Sequence, residues 1–195
     1  GLDPDKPNLD VAVLRQLLFG KAVKPVVDFK NLQIHLGDRN IPIDSNGMVE
    51  INYAAPPQTE VLTFPYHAVY YKEMDMSVFK DRVVYIGSTS EILHDNHSTP
   101  FATGDVKMPG VEAHVHMLDT MLSQQYLYHL PRWVGLLISL LLGILISVVT
   151  QRLNAKWGFV VMLLVAGIYG ASTIAAFSLA RWILPLALPL IVVVA

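Results

Sequence analysis

No cysteine occurs anywhere in the chain. Disulfides, a thiol nucleophile and cysteine-ligated zinc or iron–sulfur centres are therefore excluded. Charge is scarce too, at 15% of residues against a usual level of about 25%. The deficit is local. All 16 acidic residues precede Arg132, and of the sixty-three residues after it only Arg152, Lys156 and Arg181 are charged. Lys/Arg runs are lacking and the formal net charge is -2, which leaves no footprint for nucleic acid as a partner. Glycines at phosphate-cradling spacing and a Ser–His–Asp nucleophile motif are also missing. Catalysis within these residues has no support, and no cofactor is implied. The chain starts at Gly1 without Met or an apolar leader region, and reads as a piece of something longer.

What is present separates into two materials. Residues 1–131 carry ordinary charge and suffice for one soluble domain with its own core. Residues 132–195 are apolar. Trp133–Thr150 is an uncharged run of 18 residues, close to the roughly 20 needed to cross ~30 Å of hydrocarbon. Trp157–Ala180 is a second such run, long enough to span with tilt. Trp182–Ala195 is a third, ending mid-span. Each opens on a Trp beside Lys or Arg, as interfacial anchoring requires. Three membrane helices are thus expected at 133–150, 157–180 and 182–195, the last truncated, with Pro185 and Pro189 kinking it. Small residues four apart (Ala166 with Gly170, Gly167 with Ala171) suit close helix contact in the second. The first connector, Gln151–Lys156, holds two bases and the second only Arg181. Positive-inside bias therefore puts the first connector in the cytoplasm and residues 1–131 outside.

In the soluble part, Leu9–Phe19 places Val11, Leu14, Leu17 and Leu18 at helical spacing, with Asp10 as an N-cap and Gly20 as the stop. Leu32–Leu36 alternates as a short strand. Asp44-Ser45-Asn46-Gly47 reads as the turn of a hairpin between Ile41–Ile43 and Met48–Tyr53. Tyr66–Tyr71 is a helical turn. Val83–Gly87 has the pattern of a buried strand closed by glycine. A polar loop, Ser88–Pro109, leads to a helix over Val111–Ser123, with Val111, Val115, Leu118 and Leu122 on one face. The mixture predicts an α/β domain with a mixed sheet.

Four stretches in fixed order are more specific. They are Ile41-Pro42-Ile43-Asp44 with Gly47 and Ile51-Asn52-Tyr53; Val83-Val84-Tyr85-Ile86-Gly87-Ser88-Thr89; Asp95 with Thr99-Pro100; and Met108-Pro109-Gly110-Val111-Glu112-Ala113-His114. Together with the spans that follow, they resemble the second class of CHASE domain, an extracellular sensory domain associated with cyclases and histidine kinases. The resemblance runs from about Leu9 to Ala195. Ala54-Ala55 departs from the charged or small residue and Gly usual there. The resemblance implies a multi-pass protein of a bacterial inner membrane, residues 1–131 being periplasmic. It also implies a homodimer that answers an extracytoplasmic ligand or protein and controls an effector after residue 195. That effector would be an adenylate or guanylate cyclase, a histidine kinase or a Ser/Thr kinase.

Candidate site residues follow from the loop after Gly87. A strand closing in Gly87 puts the hydroxyls of Ser88, Thr89 and Ser90 at a sheet's carboxyl edge, where ligands dock in open α/β folds. The loop brings His94, Asp95, His97 and Thr99 nearby. Asp95 and Thr99-Pro100 suit Asx-type bracing of the loop; ligand contact by Ser88, Thr89, Asp95 and Thr99 is the sharper reading. His94 and His97 are weak candidates for zinc, and no metal is assigned. The alternative function is a membrane-anchored extracytoplasmic hydrolase or metal-binding protein using the His94/His97 loop. Signal transmission falls to Val111, Val115, Leu118 and Leu122, and to Trp133 at the head of the first span.

Overall fold

The computed structural model describes residues 9–20, 23–57, 59–89, 95–101, 107–187, 189 and 191. The chain divides into two compact units, Gly1–Tyr126 and Leu127–Ala195. In the first, helix α1 (Leu9–Phe19) forms where the apolar spacing predicts it. It stops at Gly20, which adopts a positive φ of 60° that glycine tolerates without strain. Val11 and Leu14 are buried, whereas Leu17 and Leu18 stay exposed.

Strands β1 (Val26–Asp28), β2 (Gln33–Leu36) and β3 (Arg39–Pro42) make one sheet in that order, antiparallel throughout. The α/β class holds, but this sheet is not mixed. The hairpin also differs from expectation, because β3 pairs with β2 rather than with 48–53. A two-residue turn at Gly37-Asp38 explains this, with Gly37 at φ 62° as such tight turns require. Gly37 also lies against Phe19, whose ring atom Cζ would be 2.6 Å from any added Cβ. Residues 48–53 join no ladder. Asp44 ties off the turn instead: its Oδ1 accepts the N–H groups of Asn46 and Met48, each at 2.8 Å.

Helix α2 (Tyr66–Tyr70) and a 3-10 turn (Met76–Phe79) follow. The Val83–Gly87 run is not the buried strand that its composition predicts. No described strand pairs with it, and Ile86 is 82% exposed. A run apolar on both faces needs sheet neighbours on both sides, and β1–β3 pair only with one another. Tyr85 alone packs against the core. Strands β4 (Asn96–His97) and β5 (Met108–Pro109) form a short antiparallel pair before helix α3 (Gly110–Ser123). The core lies among α1, the sheet and α3: Val11, Leu14, Ile34, Leu36, Ile41, Ile43, Leu118, Met121 and Tyr126. Burying each aliphatic side chain in it contributes about 1.5–3 kcal/mol.

The second unit holds helices α4 (Arg132–Thr150) and α5 (Ala155–Ala180). Their apolar windows have mean hydropathies of 2.5 and 2.1, and only 11% and 6% of those windows is buried. A core helix of a soluble protein would be mostly covered, so these surfaces suit lipid. Among the described residues of 182–195, residues 182–186 are not helical. The segment after α5 opens as strand β7 (Trp182–Ile183), parallel to β6 (Tyr128–His129), and helical backbone resumes at Ala187. Pro185, which has no N–H to donate, stands where a helix would need one.

Candidate functional site

Helix α3 is the element on which the signature residues converge. At its start, the Gly110 N–H donates to the Asp95 carbonyl at 2.8 Å. The Asp95 carboxylate sits over Gly110, 2.4 Å from where a Cβ would be, so glycine there admits the acid. Its Oδ1 lies 3.2 Å from His97 Nε2, and both side chains are more than half exposed. Gly87 meets the next residue in the same way: an added Cβ would stand 2.6 Å from Val111 Cβ. The glycines of the "IG" and "PGV" stretches thus allow two segments to reach the helix start.

One turn further on, α3 carries a polar cluster that the apolar spacing did not reveal. Asp10, only 3% exposed, is no N-cap; it points into the unit from the first turn of α1. Its Oδ1 accepts from the Tyr85 hydroxyl at 3.1 Å, and its Oδ2 is 2.8 Å from His114 Nδ1. The Tyr85 and His114 rings stack with a 5° interplanar angle. Desolvation, with the Asp10 charge second, pushes the Tyr85 phenol well above its ordinary value of 10.0, so it remains a donor at physiological pH. Three segments distant in sequence are joined by these bonds.

The end of α3 is held as well. Arg39 Nη1 donates to the carbonyls of Met121 and Leu122 at 2.9 and 2.8 Å, two of the carbonyls that a helix end leaves unpaired. The Asn52 N–H donates to Thr120 Oγ1 at 3.1 Å, and its Nδ2 donates to the Gln125 carbonyl at 3.1 Å. Tyr53 meets the buried His116 edge-on. The Ile51-Asn52-Tyr53 stretch is therefore a clamp on the last turns of α3, not a strand. Gln124 closes the helix at φ 56°, and Tyr126 returns to the core.

The expected transmission face is only partly the buried one. Leu118 is in the core, while Val111, Val115 and Leu122 are half-buried. Glu112, His116 and Thr120, four residues apart, are more deeply buried than those three. Spacing of apolar residues missed them because they are polar; their four-residue period was the available signal. Trp133, in the first turn of α4, is 66% exposed.

The ligand candidates are dispersed. Ser88 is half-buried and Thr89 exposed. Thr99 is buried, and its Oγ1 has no hydrogen-bond partner among the described residues. His94 and Ser90 lie outside the described residues. Among the described residues no three His, Cys, Asp or Glu side chains are placed to hold a metal ion.

Comparison with known families gives a match to the model described as the CHASE2 domain, over residues 2–149. That stretch takes in every residue of the α3 clusters and nearly all of α4. No curated protein and no solved structure matches the chain.

Proposed function

The chain belongs to the CHASE2 family, whose domains are the sensory extracellular parts of signalling receptors, and on that premise we propose that it controls a cytoplasmic effector through α3 and the spans. The effector is a nucleotide cyclase or a histidine or Ser/Thr kinase following residue 195, and the receptor is a homodimer in a bacterial inner membrane. The ligand or partner protein acts from outside, on the loop containing Ser88, Thr89, Asp95 and Thr99.

One observation carries the reading. Residues from four separate segments fasten α3: Asp10 bonds to His114, Arg39 to the Met121 and Leu122 carbonyls and the Asn52 N–H to Thr120, while Tyr85 stacks on His114; α3 is joined to α4 by the short link 124–131. A change anywhere on that periphery alters the position of one helix, and that helix leads into the membrane. A stimulus shifts the effector's equilibrium only as far as it binds one arrangement of α3 better than the other.

The test is made on the full-length protein in native membranes, assayed for cyclic nucleotide formation and for phosphotransfer. Asn52→Ala, which removes the side-chain bond to the Gln125 carbonyl just past the end of α3, is expected to change output several-fold at unchanged protein level. A catalytic domain absent beyond residue 195, or output indifferent to Asn52→Ala, overturns the proposal.

A further inference from the structure

The entry to α4 and the exit from α5 are fastened to each other. Strands β6 and β7 pair in parallel, with Tyr128 opposite Trp182 and His129 opposite Ile183. The Tyr128 N–H donates to the Arg181 carbonyl at 3.0 Å, and the Tyr128 and Trp182 rings touch with centroids 5.5 Å apart. Further along, the Tyr169 hydroxyl of α5 donates to the Pro185 carbonyl at 2.5 Å. The Pro185 ring fills the notch left by Gly135 of α4, 2.7 Å from where a Cβ would be.

The two prolines explain why these bonds fall where they do. In a helix the carbonyl of residue 181 would take the N–H of residue 185, and that of residue 185 the N–H of residue 189. Both donors are prolines and have no N–H. Beside hydrocarbon an unpaired Pro185 carbonyl would cost several kcal/mol, and the Arg181 carbonyl, in the connector, would otherwise have only water; each takes a donor from elsewhere. Tyr128 supplies the first and Tyr169 the second. These bonds hold the start of the segment after α5 against the link that leaves the sensory unit.

We infer that this latch makes the segment beginning at Trp182 the direct recipient of movement at the end of α3, with Tyr169 as a positioning residue for it. The chain passes from Tyr126, in the core of the sensory unit, to Tyr128, in the ladder, with only Leu127 between. Displacement of Tyr128 therefore reaches Arg181 and Trp182 through backbone hydrogen bonds, without travelling down α4 and back up α5. The direction of signal flow rests on the receptor reading above; the latch does not.

Cross-linking in the full-length protein in its membrane tests both parts. The 195 residues bring no thiol of their own, so Tyr128→Cys with Trp182→Cys introduces a defined pair at a spacing suited to a disulfide. Oxidation is expected to protect most chains from a maleimide–polyethylene glycol reagent. Adding Tyr169→Phe is expected to lower that protection several-fold. Adding Pro189→Ala to the Tyr169→Phe chain is expected to restore it, because residue 189 then has an N–H for the Pro185 carbonyl. Unchanged protection with Tyr169→Phe, or no recovery with Pro189→Ala, overturns the latch. In the oxidised chain, effector output is expected to keep its full response to Asn52→Ala, because the disulfide ties position 128 to position 182; a response lost on oxidation overturns the route. A protein with no effector output in any form fails the receptor reading, while the protection pattern still decides the latch.

Discussion

At the scale of single residues, the sensory unit depends on polar groups that tie together segments distant in sequence. Asp10 is the extreme case, a buried carboxylate with one oxygen for Tyr85 and the other for His114. Asp10→Ala takes the acceptor from both donors, the Tyr85 hydroxyl and the half-exposed His114 ring, and is expected to cost about 1–3 kcal/mol. Tyr85→Phe removes one bond and leaves the carboxylate its His114 contact, so about 1 kcal/mol is expected. Urea midpoints of the protein in detergent give the order; equal costs would mean that Asp10 holds nothing beyond Tyr85. Asp44 behaves differently because it is exposed. Its bond from the Met48 N–H, the largest cause, holds its carboxyl below 3.8. A lowered folded value stabilises the turn above pH about 4 and loses that contribution as pH falls through it. The amide resonances of Asn46 and Met48 should therefore shift together in acid. In Asp44→Asn that step should vanish. None of the Asp10 contacts was legible in the sequence, where Asp10 read as a cap, because its partners lie 75 and 104 residues away.

At the scale of elements, two glycines at the start of α3 make a contrast. Gly87 faces the Val111 side chain and Gly110 faces the Asp95 carboxyl. The nearest atom is Val111 Cβ, which no rotamer change moves, and the branched side chain of a helical Val has one strongly preferred rotamer. Gly87→Ala is accordingly expected to cost about 1–3 kcal/mol. The Asp95 carboxyl is the end of an exposed side chain and can swing away. Gly110→Ala is expected to stay within ~0.5 kcal/mol of the parent but to break the Asp95–His97 contact, read as a change in the His97 ring resonances. Similar losses at both positions would refute the contrast. Helix α1, α2, α3 and the two long apolar helices were legible from period and hydropathy alone. The sheet was not. The partner of β3 was decided by the tight turn at Gly37, whose glycine outweighed the more conspicuous Asp44–Gly47 turn. The Val83–Gly87 run kept its strand composition but has no described strand to pair with.

At the scale of the whole chain, orientation in the membrane is the property most exposed to refutation. Positive-inside bias rests here on two bases in one connector against one in the other. A cysteine at Asp38, in the exposed turn of the sensory unit, is expected to react with a membrane-impermeant maleimide on intact cells. A cysteine at Asn154, in the α4–α5 connector, is expected to react only after permeabilisation. The reverse pattern would place the sensory unit inside and end the receptor proposal. The sequence by itself determined the two materials, the lipid-facing helices and the family, because each is written in composition and short ordered motifs that need no distant partner. Tertiary structure alone decided how α3 is held and what the link to α4 is tied to. Those depend on Asp10 meeting His114, Asn52 meeting Gln125 and Tyr128 meeting Arg181, pairings between residues whose separation along the chain gives no sign that folding will close it.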